Sequence, residues 1–227
     1  MKTKIGIGIT FFDRPDVFQF TLKQIEKHTD TEKYDVKYYL AADSYEDRRG
    51  VAYRKNECLR NLKDCDYIFL FDEDCFPIDD NWIEVFINAH KATGNHHFIY
   101  QHETAEVNAL DEKNGIVSYD NCNGCMMFLT KETLSKVGAF SPNFGLYGYE
   151  HANYSNRVHM AGLTPYGRYI CPKDAYKHLY SLDIDDWMPE LHKQLKFNNT
   201  KDFQFKLAEA KKNAEVYMKD NELYYPL

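Results

Sequence analysis

The chain has 227 residues, a formal net charge of −7 and 44% apolar residues. That is enough for one sizeable core, and an acidic balance with no long basic run argues against a general nucleic-acid binder. No stretch approaches the ~18 apolar residues of a membrane span, and MKTKIGIGIT lacks the apolar core of a secretory signal, so a cytoplasmic protein with six reduced cysteines is expected.

Residues 4–12, KIGIGITFF, alternate and then turn fully apolar, which predicts a first strand buried at its end. In PDVFQFTLKQIEKH, residues 15–28, Phe18, Leu22 and Ile25 recur at helical spacing, Pro15 suits the first turn and Asp16 suits the positive end of the dipole. DVKYYLAAD, residues 35–43, reads as a second strand, Arg48–Leu62 as a helix, and DYIFLFD as a third strand. A helix over Trp82–Ala92 and a short strand over residues 96–101 follow. This alternation predicts an α/β domain with a mainly parallel central sheet. Later segments predict a strand before residue 130, a short helix over Lys131–Val137, a glycine-rich loop FGLYGYEH, and a helix near 150–162 that ends at Gly162. From Asp186 the chain is charged and helical. Residues 1–182 are expected to form one domain, and 183–227 a C-terminal helical extension packed on it.

The stretch YIFLFDEDCFP, residues 67–77, sets three acids at the end of a strand that is otherwise apolar. Like charges repel, so a cation is expected among them. Ligands of open α/β sheets bind outside the carboxyl ends of the strands, and Thr10, Asp43 and Asp72–Asp74 all fall at such ends. Asp-x-Asp on an extended segment points two carboxylates the same way. Hard cations such as Mg2+ or Mn2+ take such oxygen ligands and fill the shell with water and substrate phosphates.

In order, IGIGITFFDRPDVFQFTLKQI, AADS, GVAYRKNECL, FDED and NGCMMFLTKETLSKVGAFSPNFGLYGYEHANYSNRVHMAGL resemble the A-type-fold glycosyltransferases, near the family-2 and galactosyltransferase-like groups. The match spans about residues 4–165. The resemblance implies an α/β nucleotide-binding Rossmann-like sandwich with C-terminal helices, residues 1–182 as the catalytic domain, a nucleoside diphosphate sugar as donor, UDP-linked in the expected case, and a hydroxyl-bearing acceptor. It implies Thr10, Phe11, Arg14, Asp43, Arg54, Lys55, Asp72, Glu73 and Gly124 at the donor, with Asp43 near the base. Asp74 would ligate Mn2+ or Mg2+, with Asp72 beside it and His178, in AYKHLYS, as a further ligand. Glu150 matches the general base of inverting members. The family carries an acid after it, whereas this chain has His151, which could act as base or touch the acceptor.

Other features have plainer readings. Cys122 and Cys125 form a C-x-x-C without metal partners nearby, and His96, His97 and His102 look like strand residues. Phe144, Tyr147 and Tyr149, set among glycines, are placed to stack on a sugar ring, and Trp187 to cap the site. A nucleotidyltransferase would need a Gly-Thr-Arg loop after the first strand, which TFFDRP lacks. A binding module with a decayed site is at odds with the intact acids. A glycan, a lipid-linked sugar, a protein side chain or a hydroxylated nucleobase all remain as acceptors.

Overall fold

Gly6 and Gly8 alternate with the fully buried Ile5, Ile7 and Ile9, so one face of the first strand is apolar and the other is bare. A Cβ at Gly8 would lie 2.7 Å from the Cβ of Cys58, and one at Gly6 3.0 Å from that of Leu62. The bare face thus lets the helix that carries Cys58 and Leu62 lie directly on the sheet. The computed structural model describes residues 2–104, 106–196 and 203–227. In chain order they form β1 (Lys4–Phe12), α1 (Pro15–His28), β2 (Asp35–Asp43), α2 (Val51–Leu62), β3 (Tyr67–Asp72), β4 (Cys75–Pro77), α3 (Trp82–Thr93) and β5 (His97–Ile99). Then come β6 (Ala109–Lys113), β7 (Ile116–Tyr119), β8 (Met126–Thr130), α4 (Lys131–Val137), α5 (Glu150–Met160), β9 (Tyr169–Pro172), β10 (Leu179–Ser181), α6 (Pro189–Gln194) and α7 (Phe203–Lys219).

The main sheet has the order β2-β1-β3-β8-β5. β1 runs parallel to β2 and β3, and β8 runs antiparallel to both β3 and β5. Every strand but β8 therefore points the same way, a mainly parallel sheet with helices on it. The register pairs Thr10 with Asp72 and Phe12 with Asp43, so the polar strand ends meet at one rim. Two smaller sheets flank it, β10-β4 and β6-β7-β9. The hairpin strand β6 was not expected, since all five of its residues are exposed and carry no alternation. Helix α2 starts at Val51 rather than Arg48, because the Asp43 carboxylate accepts hydrogen bonds from the backbone N–H of Arg49 and Gly50 and holds them in a turn. Helix α5 ends at Met160, and Gly162 follows in left-handed backbone.

Aromatic residues fill the core. Phe69 meets Trp82 at 4.8 Å and Phe128 at 5.2 Å, edge to face. All six cysteines are free thiols, and five of them are buried. Among the described residues no group of three or more His, Cys, Asp and Glu is arranged to hold a metal ion, and no helix is long and apolar enough to cross a membrane. His97 is buried between the Phe128 carbonyl and Ser155, and His102 bonds the buried Asp185 at 2.6 Å. Val216 and Tyr217 of α7 pack against the main core. Beyond α7, the Tyr225 carbonyl accepts from Ala139 N–H at 2.8 Å.

Candidate active site

A cavity of about 620 Å³ opens where β1, β2 and β3 end, a size typical of small-ligand sites. Thr10, Phe11, Arg14, Asp43, Arg54, Asp72, Glu73, Asp74, Glu150 and His151 all line it. Two residues with left-handed backbone that is costly for a side chain, Asp13 and Tyr149, line it too.

The acids at the end of β3 have separate tasks. Asp72 accepts from Thr10 Oγ1 at 3.0 Å and from Lys55 Nζ at 2.7 Å. Burial opposes its ionisation, but Lys55, His151 and the Thr10 hydroxyl outweigh burial, and the carboxyl titrates below its ordinary range. Glu73 braces the turn to α1: it accepts from Phe12 N–H at 2.9 Å and from Arg14 Nε at 2.6 Å. Burial pushes its carboxyl up to about 8, with Arg14 opposing and Asp74 adding like charge. Asp74 Oδ2 accepts from the Arg14 guanidinium at 2.8 Å, whereas its Oδ1 is buried with no partner among the described residues.

Asp43 is occupied by two backbone donors and by Arg54 Nε at 3.1 Å. Arg54 also pairs with Asp47 and Glu57, so three carboxylates share its charge. Arg48 lies between two rings, with its guanidinium carbon 4.2 Å from the centroid of Phe12 and 4.4 Å from that of Phe205. In the glycine-rich loop Tyr147 and Tyr149 line the cavity and are 39% and 43% exposed, while Phe144 is core. Trp187 is exposed and meets Tyr180 edge-on at 4.8 Å, outside the lining.

Glu150 opens α5 and is buried, and its Oε1 lies 3.0 Å from His151 Nδ1. His151 Nε2 has no partner among the described residues. Gly124, with φ +71°, packs against this ring: a Cβ there would lie 2.3 Å from His151 Cγ.

Three expectations are revised by these positions. Lys55 is fully buried and meets the site only through Asp72, because α2 lies flat on the bare face of β1. Gly124 makes room for His151 and does not line the cavity. His178 is held by Asp79 at 2.7 Å, also outside the lining. The antiparallel register explains this last case. Leu179 pairs with Pro77 and Ser181 with Cys75, so His178 falls at the far end of the ladder from Asp74. Beside Asp74 comes Asp183 instead, because Leu182 N–H donates to the Asp74 carbonyl at 2.9 Å. Burial and then the Asp74 charge push the Asp183 carboxyl up to about 7. Sequence reasoning missed Asp183, although it too is an acid just past a strand, in LYSLDIDD. It also missed Phe205 and Lys206 of α7, which form part of the wall. Replacing Lys55 by methionine should cost about 3 kcal/mol by leaving the Asp72 charge without its buried partner. Denaturant titration of the two proteins reads this loss directly.

No protein-family model matches the sequence. An uncharacterised glycosyltransferase of Acanthamoeba polyphaga mimivirus is 27% identical over 148 residues, which are 60% of this chain and 56% of that protein. The chain thus spans little more than half the length of the curated relative it matches. A mutant Drosophila β1,4-galactosyltransferase 7, solved with manganese, UDP-Gal and xylobiose, superposes with a TM-score of 0.53 at 16% identity, covering 88% of this chain and 79% of that one. The mannosyltransferase PcManGT of Pyrobaculum calidifontis, solved with GDP-Man and Mn2+, gives 0.50 at 12% identity over 70% of this chain and 53% of its own. At such identities the likeness is one of backbone architecture, and the architecture of this chain is that of the A-type glycosyltransferases.

Proposed function

We propose that the chain transfers a sugar from a nucleoside diphosphate sugar, UDP-linked in the first instance, to an acceptor hydroxyl with inversion, assisted by a divalent cation at Asp74. The observation that carries this is the buried Asp74 Oδ1, which has no partner among the described residues, at the floor of a cavity ringed by strand-end acids. A buried carboxylate oxygen left without a donor is costly, and a cation would satisfy it. The donor set fits: Asp74 and Asp183 offer hard oxygens, and Mg2+ or Mn2+ completes such a shell with water and phosphate. When bound, the ion would neutralise charge on the departing nucleoside diphosphate. The Mn2+ and sugar nucleotides in the two solved structures of this fold support the same reading.

The chain's own groups divide the remaining work. Asp72, fixed by Lys55 and Thr10, is an ionised acceptor for sugar or ribose hydroxyls. Asp43 and Arg54 frame the base end of the cavity. Glu150 takes the acceptor proton as that oxygen attacks the anomeric carbon and the bond to the diphosphate breaks. His151 Nδ1 holds the Glu150 carboxylate in place at 3.0 Å. The test is release of nucleoside diphosphate from a panel of UDP- and GDP-sugars with Mn2+, followed with and without a chelator. Slow release that the chelator stops is expected. Stabilisation by a nucleoside triphosphate with a sugar phosphate, and no release from any sugar nucleotide, would point to nucleotidyl transfer instead.

A further inference from the structure

We infer that the C-terminal helix supplies Lys206 as the protein's own cation for the donor's diphosphate, an inference that rests on the donor reading above. Two of the other cations on the cavity wall, Arg14 and Arg54, are paired with carboxylates. Arg14 pairs with Glu73 and Asp74, Arg54 with Asp43, Asp47 and Glu57, and Arg48 has its guanidinium carbon 4.2 and 4.4 Å from the ring centres of Phe12 and Phe205. Lys206 lines the same cavity and makes no salt bridge or hydrogen bond among the described residues. Its Nζ lies 5.5 Å from the centre of the Tyr147 ring.

The position of this ammonium is set by the helix, not by chance. One residue before it, Phe205 stacks on Arg48. Three residues after it, Glu209 Oε2 accepts from Leu146 N–H at 3.3 Å. Seven residues after it, Asn213 Oδ1 accepts from Gly145 N–H at 3.0 Å, and its Nδ2 donates to the carbonyls of Tyr147 and Gly148. Residues at i, i+3 and i+7 share one helix face, so the anchors of α7 on the glycine-rich loop also aim Lys206 into the cavity. An ordered, partly buried lysine without an anion loses side-chain freedom and solvation for nothing. A diphosphate beside Asp74 and Asp183 supplies that anion, and its negative charge grows as the glycosidic bond breaks, so the ammonium favours the leaving group.

Calorimetric titration of UDP and of GDP, in saturating Mn2+, compares wild type with Lys206→Met and Lys206→Arg. Lys206 is only partly buried and has no salt bridge or hydrogen bond among the described residues to lose, so the melting temperature without ligand should match among the three. Lys206→Met is expected to weaken the diphosphate about tenfold or more, the loss of one charged hydrogen bond, and Lys206→Arg to recover most of it. Unchanged affinity in Lys206→Met overturns the inference, as does an equal loss in both variants, which would mean a packing role. If wild type binds neither nucleotide, the donor reading itself fails and this inference with it.

Discussion

Asp74→Asn is expected to abolish metal-dependent nucleotide binding and turnover together. Asparagine has the same shape and can still accept from Arg14, so the variant should fold. It lacks the negative charge that a divalent ion needs, and Asp183 alone is a poor substitute. The variant loses both its ion pair with Arg14 and the like-charge repulsion on Asp183, so its melting temperature without ligand is measured first as the baseline. Thermal shift with Mn2+ and UDP separates the two effects: wild type gains stability on adding both, and the variant does not. A variant that keeps its Mn2+-dependent gain would remove Asp74 from the metal site.

Glu150→Gln should leave donor binding within a few-fold of wild type and cut transfer by roughly 10²–10⁴, the range for a general base. Glutamine keeps the contact with His151 but cannot take a proton. Glu150 is buried at the start of α5, so its position is set by the helix and by the His151 ring. Separate measurement of donor affinity and kcat decides the matter. If affinity falls and kcat holds, Glu150 belongs to the sugar pocket and the base lies elsewhere, with His151 as the next choice.

Much of this site can be read from the chain because its acids sit where local pattern fixes them. β1, α1 and β2 have the boundaries that their alternation and Pro15 imply. Thr10, Asp43 and Asp72–Asp74 then fall on one rim because parallel strands with crossover helices put like ends together. What could not be read depends on pairings between distant segments. Asp183 looks like one more acid in a charged stretch until β10 pairs with β4 and carries it to Asp74. His178 looks like a ligand until the same register moves it to the other end of the ladder. Lys206 and Phe205 lie on a helix whose local pattern does not say which neighbour it covers; the Asn213 and Glu209 contacts with the loop decide that. The bareness of Gly6 and Gly8 was visible as composition, but its meaning appeared only with α2 lying against them.

The wall that α7 contributes has a consequence for how the molecule is made. The floor of the chamber comes from residues near 10 and 72, and the opposite wall from residues 205–210. A nascent chain emerging from its N-terminal end can pair β1 with β3 long before α7 exists. Until that helix arrives, the wall formed by Phe205, Lys206 and Ala210 is missing. Ligand stabilises only states that bind it, so a donor nucleotide of the proposed kind would protect the finished protein and not a chain that still lacks α7.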